Sequence, residues 1–196
     1  MIKFLFDRVM ASLGILFFLP LFFPIAIWIM LDSSGGPFFV QTRVGQNGRY
    51  FGLLKFRTMR PLSEAGGKLT VGSHDPRITR VGYFLRKYKL DELPQLFNVF
   101  IADMSFVGPR PEVPEYVARY NSEQKAVLTV RPGITDEASL AYFNENEILA
   151  KSTNPEKTYL EEIMPAKIEL NLAYLKRRSF LSDIGVILRT LGRIVS

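Results

Sequence analysis

The chain has 196 residues, with 25 Lys and Arg against 19 Asp and Glu, a net charge of +6. That is long enough for one domain with a real core, and the charge suits anionic partners. The absence of cysteine excludes disulfides and thiolate metal sites, and a single histidine, His74, excludes a histidine-rich one. Nucleic acid is not expected, because the basic residues are mixed with apolar and aromatic ones instead of forming a polar stripe.

Residues 9–31, VMASLGILFFLPLFFPIAIWIML, carry no charge. The stretch exceeds the ~20 apolar residues that cross a bilayer. It is too long for a cleaved signal peptide, and no small-x-small site follows. Pro20 and Pro24 lie inside it, and each removes an N–H and crowds the preceding turn. Together they predict a strong kink, which lets the segment turn back to the leaflet it entered. The alternative is a straight span with residues 1–8 on the opposite side.

The run 32–37, DSSGGP, ends this element. Residues 38–40 and 50–54 read as strands about a Gln46-Asn47-Gly48 turn, a hairpin over 38–56. Lys55 and Arg57 follow at its end, as phosphate contacts or as ordinary edge-strand charge. Residues 60–76 read as a mobile polar loop beside the candidate site, with His74 a solvated surface residue. Residues 78–89 predict an amphipathic helix, apolar at Val81, Phe84, Leu85 and Tyr88 and basic at Arg80, Arg86, Lys87 and Lys89. Such a helix suits a lipid interface or a core with one solvated side.

A further helix is expected over 112–129, with Pro114 in its first turn. Arg131-Pro132-Gly133-Ile134-Thr135 reads as a rigid turn holding one cation. Helices are expected over 145–151 and over 159–178, the latter interrupted by Pro165. Ser182 and Asp183 are N-cap candidates for a last amphipathic helix carrying Arg189 and Arg193. No internal repeat or low-complexity tract divides the chain, so the reading is an α-rich α+β protein with one functional unit.

The richest run is LDELPQLFNVFIADMSFVGPRP, residues 90–111. It opens on adjacent carboxylates, Asp91 and Glu92, and closes on a rigid Gly108-Pro109-Arg110-Pro111 turn. Arg77, Arg80, Arg86, Lys87 and Lys89 precede it. Two acids among so many cations suit a nucleophile, a divalent metal and a bound pyrophosphate. Leu90, Leu93, Phe97, Phe100 and Ile101 recur at helical spacing, and Pro94 must sit in a first turn, so a helix is predicted to begin near Leu90 or Asp91. There the macrodipole favours an ionised Asp91 by ~0.3–1 kcal/mol. The plainer alternative is that Asp91 only caps the helix and Glu92 only complements its dipole.

These segments resemble the bacterial sugar transferases, the monotopic phosphoglycosyl transferases in their short single-domain form. The resemblance runs through the Pro-kinked N-terminus, FVQTRVGQNGRYFGLLKFRTM (39–59), DPRITRVGYFLRKYKLDELPQLFNVFIADMSFVGPRPEVPEY (75–116) and VRPGIT (130–135). It implies a membrane-embedded monotopic fold: a re-entrant helix hairpin over 1–32, kinked at Pro20 and Pro24, and a cytoplasmic catalytic domain over 33–196 with interfacial amphipathic helices. It implies transfer of a sugar 1-phosphate from a nucleotide sugar, with uridine expected, to polyprenyl phosphate at the cytoplasmic face of the bacterial inner membrane. Nucleotide sugar, polyprenyl phosphate, the phospholipid bilayer and downstream glycosyltransferases are then the partners.

In this scheme Asp91 is the nucleophile of a ping-pong reaction and Glu92 its partner, helping with acceptor deprotonation or metal placement. Lys55, Arg57, Arg86, Arg110 and Arg131 are phosphate contacts. Hard carboxylate and phosphate oxygens suit Mg²⁺, with Asp91 the best single ligand. Phe23 stands where the family often has a small polar residue before its proline, and Asp136-Glu137-Ala138 where many members have glycine. Two rival readings use the same residues: a non-catalytic membrane adaptor for acidic lipids, and a single-step transferase with no covalent intermediate.

Overall fold

The computed structural model describes residues 2–61, 69, 71–72 and 75–195. His74 and most of the 60–76 loop lie outside them, and with them the expectations made there.

Helix α1 (Ile2–Asp32) is a single uninterrupted helix. At 1.5 Å per residue it is about 46 Å long. Neither Pro20 nor Pro24 ends it, so the hairpin of two arms is not present as two elements. A continuous seam explains why the helix persists: Asp7, Ala11, Phe22, Ile25 and Ile29 are buried at helical spacing. Gly14 falls on the same line, where an added Cβ would lie 3.2 Å from Leu96. The helix therefore packs along the body over its whole length, and that burial offsets the backbone bonds the prolines remove. Its first turns are tied down by Arg8 Nε donating to the Phe100 carbonyl (2.9 Å), Ser105 Oγ donating to Asp7 (2.8 Å) and an ion pair of Lys3 with Asp183. Its last turn is held by the Val81 N–H donating to Asp32 (2.9 Å).

The predicted hairpin is present. Strands β1 (Phe38–Val44) and β2 (Tyr50–Phe56) pair antiparallel, with Phe38 opposite Phe56 and Val44 opposite Tyr50. Asn47 and Gly48 take left-handed φ of 57° and 77°, the conformation for which these two residue types are suited. Helix α2 (Arg80–Lys87) starts on Thr79, whose hydroxyl accepts from the Gly82 N–H (3.0 Å). Gly82 lets the helix touch the preceding segment: a Cβ there would sit 2.1 Å from the Thr58 carbonyl oxygen. Phe22, Ile25, Ile29, Phe56, Val81 and Leu85 form the core between α1, β2 and α2.

The helix expected from Leu90 is shorter. A 3₁₀ turn (Leu90–Glu92) comes first, and α3 (Gln95–Phe100) follows Pro94. Strand β3 (Ser105–Val107) then pairs parallel with β4 (Gly133–Thr135). The long helix expected over 112–129 is instead α4 (Pro114–Val117) and a separate 3₁₀ turn (Gln124–Thr129). The break has a local cause. Asn121 and Gln124 cap each other, each side-chain oxygen accepting the other's backbone N–H at 2.8 and 3.0 Å, and this starts a new turn.

The C-terminal third is helical, as expected. It comprises α5 (Glu137–Ala141), α6 (Glu145–Ala150), α7 (Pro155–Thr158), a π turn (Tyr159–Ile163), α8 (Met164–Arg177) and α9 (Phe180–Val195). Pro165 does not interrupt α8 but sits in its first turn, where its missing N–H costs nothing. Ser182 and Asp183 lie inside α9 instead of capping it. Ser179 takes that place, its hydroxyl accepting from the Ser182 N–H (3.1 Å), and Asp183 is withdrawn to Tyr174 and Lys3.

The exposed apolar side chains are concentrated on a few helices. Leu16, Phe17, Phe23 and Leu31 project from α1, Phe84 from α2, and Leu181, Leu188 and Leu191 from α9. α1 is long and apolar enough to cross a membrane. Exposed apolar area of this extent marks a contact surface for a membrane or another protein.

Candidate active site

Lys89 ends α2 in a left-handed conformation (φ 56°, ψ 20°), uncommon for a side chain with a Cβ. This reversal sets Asp91 and Glu92 on the short turn that follows. Consecutive side chains diverge there, and the two carboxylates have different surroundings. Glu92 is ion-paired with Arg110 through both oxygens and lies 3.8 Å from Lys55 Nζ at the end of β2. Asp91 is buried and forms no hydrogen bond or ion pair to another described residue.

Arg110 reaches Glu92 because two sequence motifs cross. The Gly108-Pro109-Arg110-Pro111 turn runs beside Arg131-Pro132-Gly133, the Gly108 N–H donating to Thr135 (3.1 Å) and the Gly133 N–H to Pro109 (3.1 Å). Asp136 is completely buried. Its carboxylate accepts from the Arg110 N–H (2.9 Å), the Ser139 N–H (2.6 Å) and the Asn171 amide (2.9 Å). It thus caps α5 while fixing the backbone of Arg110, a structural role that leaves its charge satisfied. Arg86 is positioned by Nε donating to Thr58 Oγ1 (2.9 Å).

The electrostatics separate the two acids. Burial, and then the neighbouring Glu92 charge, push the Asp91 carboxyl above its ordinary value, against the pull of Lys55, Arg86 and Lys89. The helix-start argument predicted the reverse. The elements that follow are too short to outweigh desolvation. Burial also pushes Glu92 up, but Arg110 and Lys55 pull harder and hold it well below the carboxylate range. Burial pushes the Lys55 ammonium down to about 8, with Glu92 opposing. It likewise pushes the Arg86 guanidinium down, with Asp91 opposing.

Lys55, Arg86, Asp91, Glu92 and Arg110 line one pocket of about 280 Å³. A wider surface cleft of about 520 Å³ shares no residue with it and is lined mainly by solvated Arg119, Glu156, Lys157 and Glu161. Only the smaller pocket holds buried ionisable groups. Two predicted phosphate contacts are not brought there. Arg57 donates to the carbonyls of Ser33 (2.8 Å), Ser34 and Gly35 (3.2 Å), clamping the chain as it leaves α1. Arg131 lies over the Phe4 ring, 4.7 Å from its centroid. Pro20 and Pro24 are in α1, and neither lines the pocket. Sequence reasoning missed Tyr142, Glu145, Asn146 and Lys167, which line it from the C-terminal helices.

The chain matches the bacterial sugar transferase family over residues 1–196. It belongs to that family. It is 35% identical over 193 residues to the UDP-N-acetylgalactosamine-undecaprenyl-phosphate N-acetylgalactosaminephosphotransferase of Aeromonas hydrophila, covering 97% of this chain and 43% of that protein. It is 36% identical over 197 residues to a UDP-glucose:undecaprenyl-phosphate glucose-1-phosphate transferase of Xanthomonas campestris pv. campestris, covering 96% and 38%. A Caulobacter vibrioides transferase of the same name is 34% identical over 201 residues, covering 97% and 68%. The chain thus spans about two-fifths of the length of the first two relatives.

Within this sugar transferase the low Lys55 value carries a test. Lys55 is charged below about 8 and loses its charge as pH rises through it. kcat/KM for an anionic donor reports the free protein, so it should fall above that pH. Lys55→Arg should carry the alkaline limb to higher pH, measured as a full pH–rate profile.

Proposed function

We propose that this chain transfers a sugar 1-phosphate from a UDP-sugar to undecaprenyl phosphate, releasing UMP and initiating a surface glycan or glycoconjugate. The observation that carries this reading is Asp91: a buried carboxylate without a hydrogen bond or ion pair to another described residue, in a pocket with Lys55, Arg86 and Arg110. The names of the relatives supply the donor and acceptor classes.

The cations bind the diphosphate. An Asp91 oxygen attacks the phosphorus that bears the sugar, and the bond from that phosphorus to the bridging oxygen breaks. UMP leaves with the electron pair. The carboxyl now holds the phosphosugar, and a phosphate oxygen of undecaprenyl phosphate attacks the same phosphorus and displaces Asp91. A soluble donor and a membrane-confined acceptor are thereby used in turn. Glu92, held ionised by Arg110 and Lys55, serves to hold those two cations on the diphosphate. That assignment replaces acceptor deprotonation, since so strong an acid is a poor base.

The donor set fits Mg²⁺ arriving with substrate. Among the described residues no three-carboxylate cluster exists, and of the carboxylates lining the pocket Glu92 and Glu145 are paired with cations while Asp91 has no ion pair to a described residue. Mg²⁺ is commonly held by one or two carboxylates together with substrate phosphates. When bound, it would neutralise charge on the diphosphate. Chelator-treated protein should lose turnover and recover it with Mg²⁺, and full activity without added metal contradicts this.

α1 is proposed to lie in the cytoplasmic leaflet of the inner membrane with both of its ends at the same face. The contacts of both its ends with one body support this over a straight span. A cysteine at the exposed position Ile2 should react with an impermeant reagent only from the cytoplasmic side, and periplasmic labelling favours the span. The deciding experiment for function is UMP release from a panel of UDP-sugars with undecaprenyl phosphate. A membrane adaptor releases none, and a single-step transferase gives no labelled protein when radioactive donor is supplied alone.

A further inference from the structure

We infer that the Glu145–Lys167 ion pair reads the sugar of the donor. The inference rests on the transfer reading above. Lys167 Nζ lies 2.7 Å from Glu145 Oε2, joining the start of α6 to α8. The side chains are only 12% and 24% exposed, and both face the pocket that holds Asp91.

Asp91 must reach the phosphorus that carries the sugar. The sugar is one bond from that atom, so it lies in the same pocket. The phosphate is met there by Lys55, Arg86 and Arg110. Besides Asp91 and those cations, the polar groups lining it are Lys89, Glu92, Ser139, Tyr142, Asn146 and this ion pair. A carboxylate and an ammonium side by side give vicinal hydroxyls an acceptor and a donor together.

The pair also staples two helices, so the test must separate the two roles. Binding of UDP and of the best UDP-sugar is measured in parallel on the full chain in nanodiscs. Glu145→Gln should weaken UDP-sugar binding about tenfold while changing UDP binding less than about twofold, since one hydrogen-bonding group carries that much discrimination. Lys167→Arg keeps the ion pair, and so the staple, but moves the donor groups. It should shift the ranking of UDP-glucose, UDP-N-acetylglucosamine and UDP-N-acetylgalactosamine at least about fivefold by the same reasoning, with UDP binding held.

Equal weakening of UDP and UDP-sugar, or unchanged binding and ranking in both variants, overturns the assignment. If Glu145→Gln does not fold by its thermal transition, Lys167→Arg decides alone. If the unaltered chain releases no UMP from any donor, the transfer reading fails, and the paired binding measurements still decide what the ion pair recognises.

Discussion

Asp91→Asn abolishes UMP release, lowering kcat on the order of 10⁴-fold, while the fold persists. The amide has the shape of the carboxylate but cannot attack phosphorus. Because Asp91 is buried and makes no hydrogen bond or ion pair to another described residue, the substitution breaks none there and removes a desolvated charge, so the thermal transition should hold or rise. Glu92→Gln behaves differently. It releases Arg110 and Lys55 from a shared anion, so it should slow turnover and lower stability while still permitting some covalent adduct. Intact mass after incubation with UDP-sugar alone distinguishes them. A phosphosugar adduct on Asp91→Asn, or one mapped to another residue, removes Asp91 from its assigned role. The acid limb of kcat/KM should lie above the ordinary aspartate value, because the buried carboxyl must lose its proton before attack.

What was legible in the sequence was local. The hairpin could be read because alternating apolar residues flank an Asn-Gly turn, and each of those signals acts within a few residues. Asp91, Glu92, Arg86 and Arg110 could be read because they lie in one stretch with Pro and Gly punctuation. Charge type alone did not reveal destination. Arg57 and Lys55 are two residues apart, a spacing that within a strand would put them on one face, yet one clamps the end of α1 and the other meets Glu92, because β2 ends at Phe56 and Arg57 lies beyond it. Arg131 goes to Phe4, a contact between residues far apart in sequence. Glu145 and Lys167 carry no motif and are joined only when α6 and α8 pack. The β3–β4 pairing is three residues on each side, too short to show a strand period.

Gly133→Ala should cost more stability than any surface substitution and disable the site from a distance. An alanine Cβ there would lie 2.2 Å from the Gly108 nitrogen, 2.4 Å from the Gly108 oxygen and 2.6 Å from the Thr135 oxygen. All three are backbone atoms in a parallel pair, so no side chain can rotate away. Overpacking in cores costs ~1–3 kcal/mol when neighbours can shift, and more is expected where backbone must move. Separation of β3 from β4 displaces Arg110, whose N–H is held by Asp136 and whose guanidinium neutralises Glu92. Activity should therefore fall at least about tenfold even in the fraction that folds, because one lost charge-assisted contact is worth that much. Gly108→Ala meets the Arg131 oxygen at 2.4 Å and should act alike. Gly185 and Gly192 in α9 have nothing within 4 Å of the added carbon. Their alanine variants should be neutral or stabilised by ~0.5–1 kcal/mol. Thermal unfolding and UMP release on the four variants give the comparison. A Gly133→Ala protein as stable and active as Gly185→Ala means that the crossing of the two turns does not hold Arg110 in place.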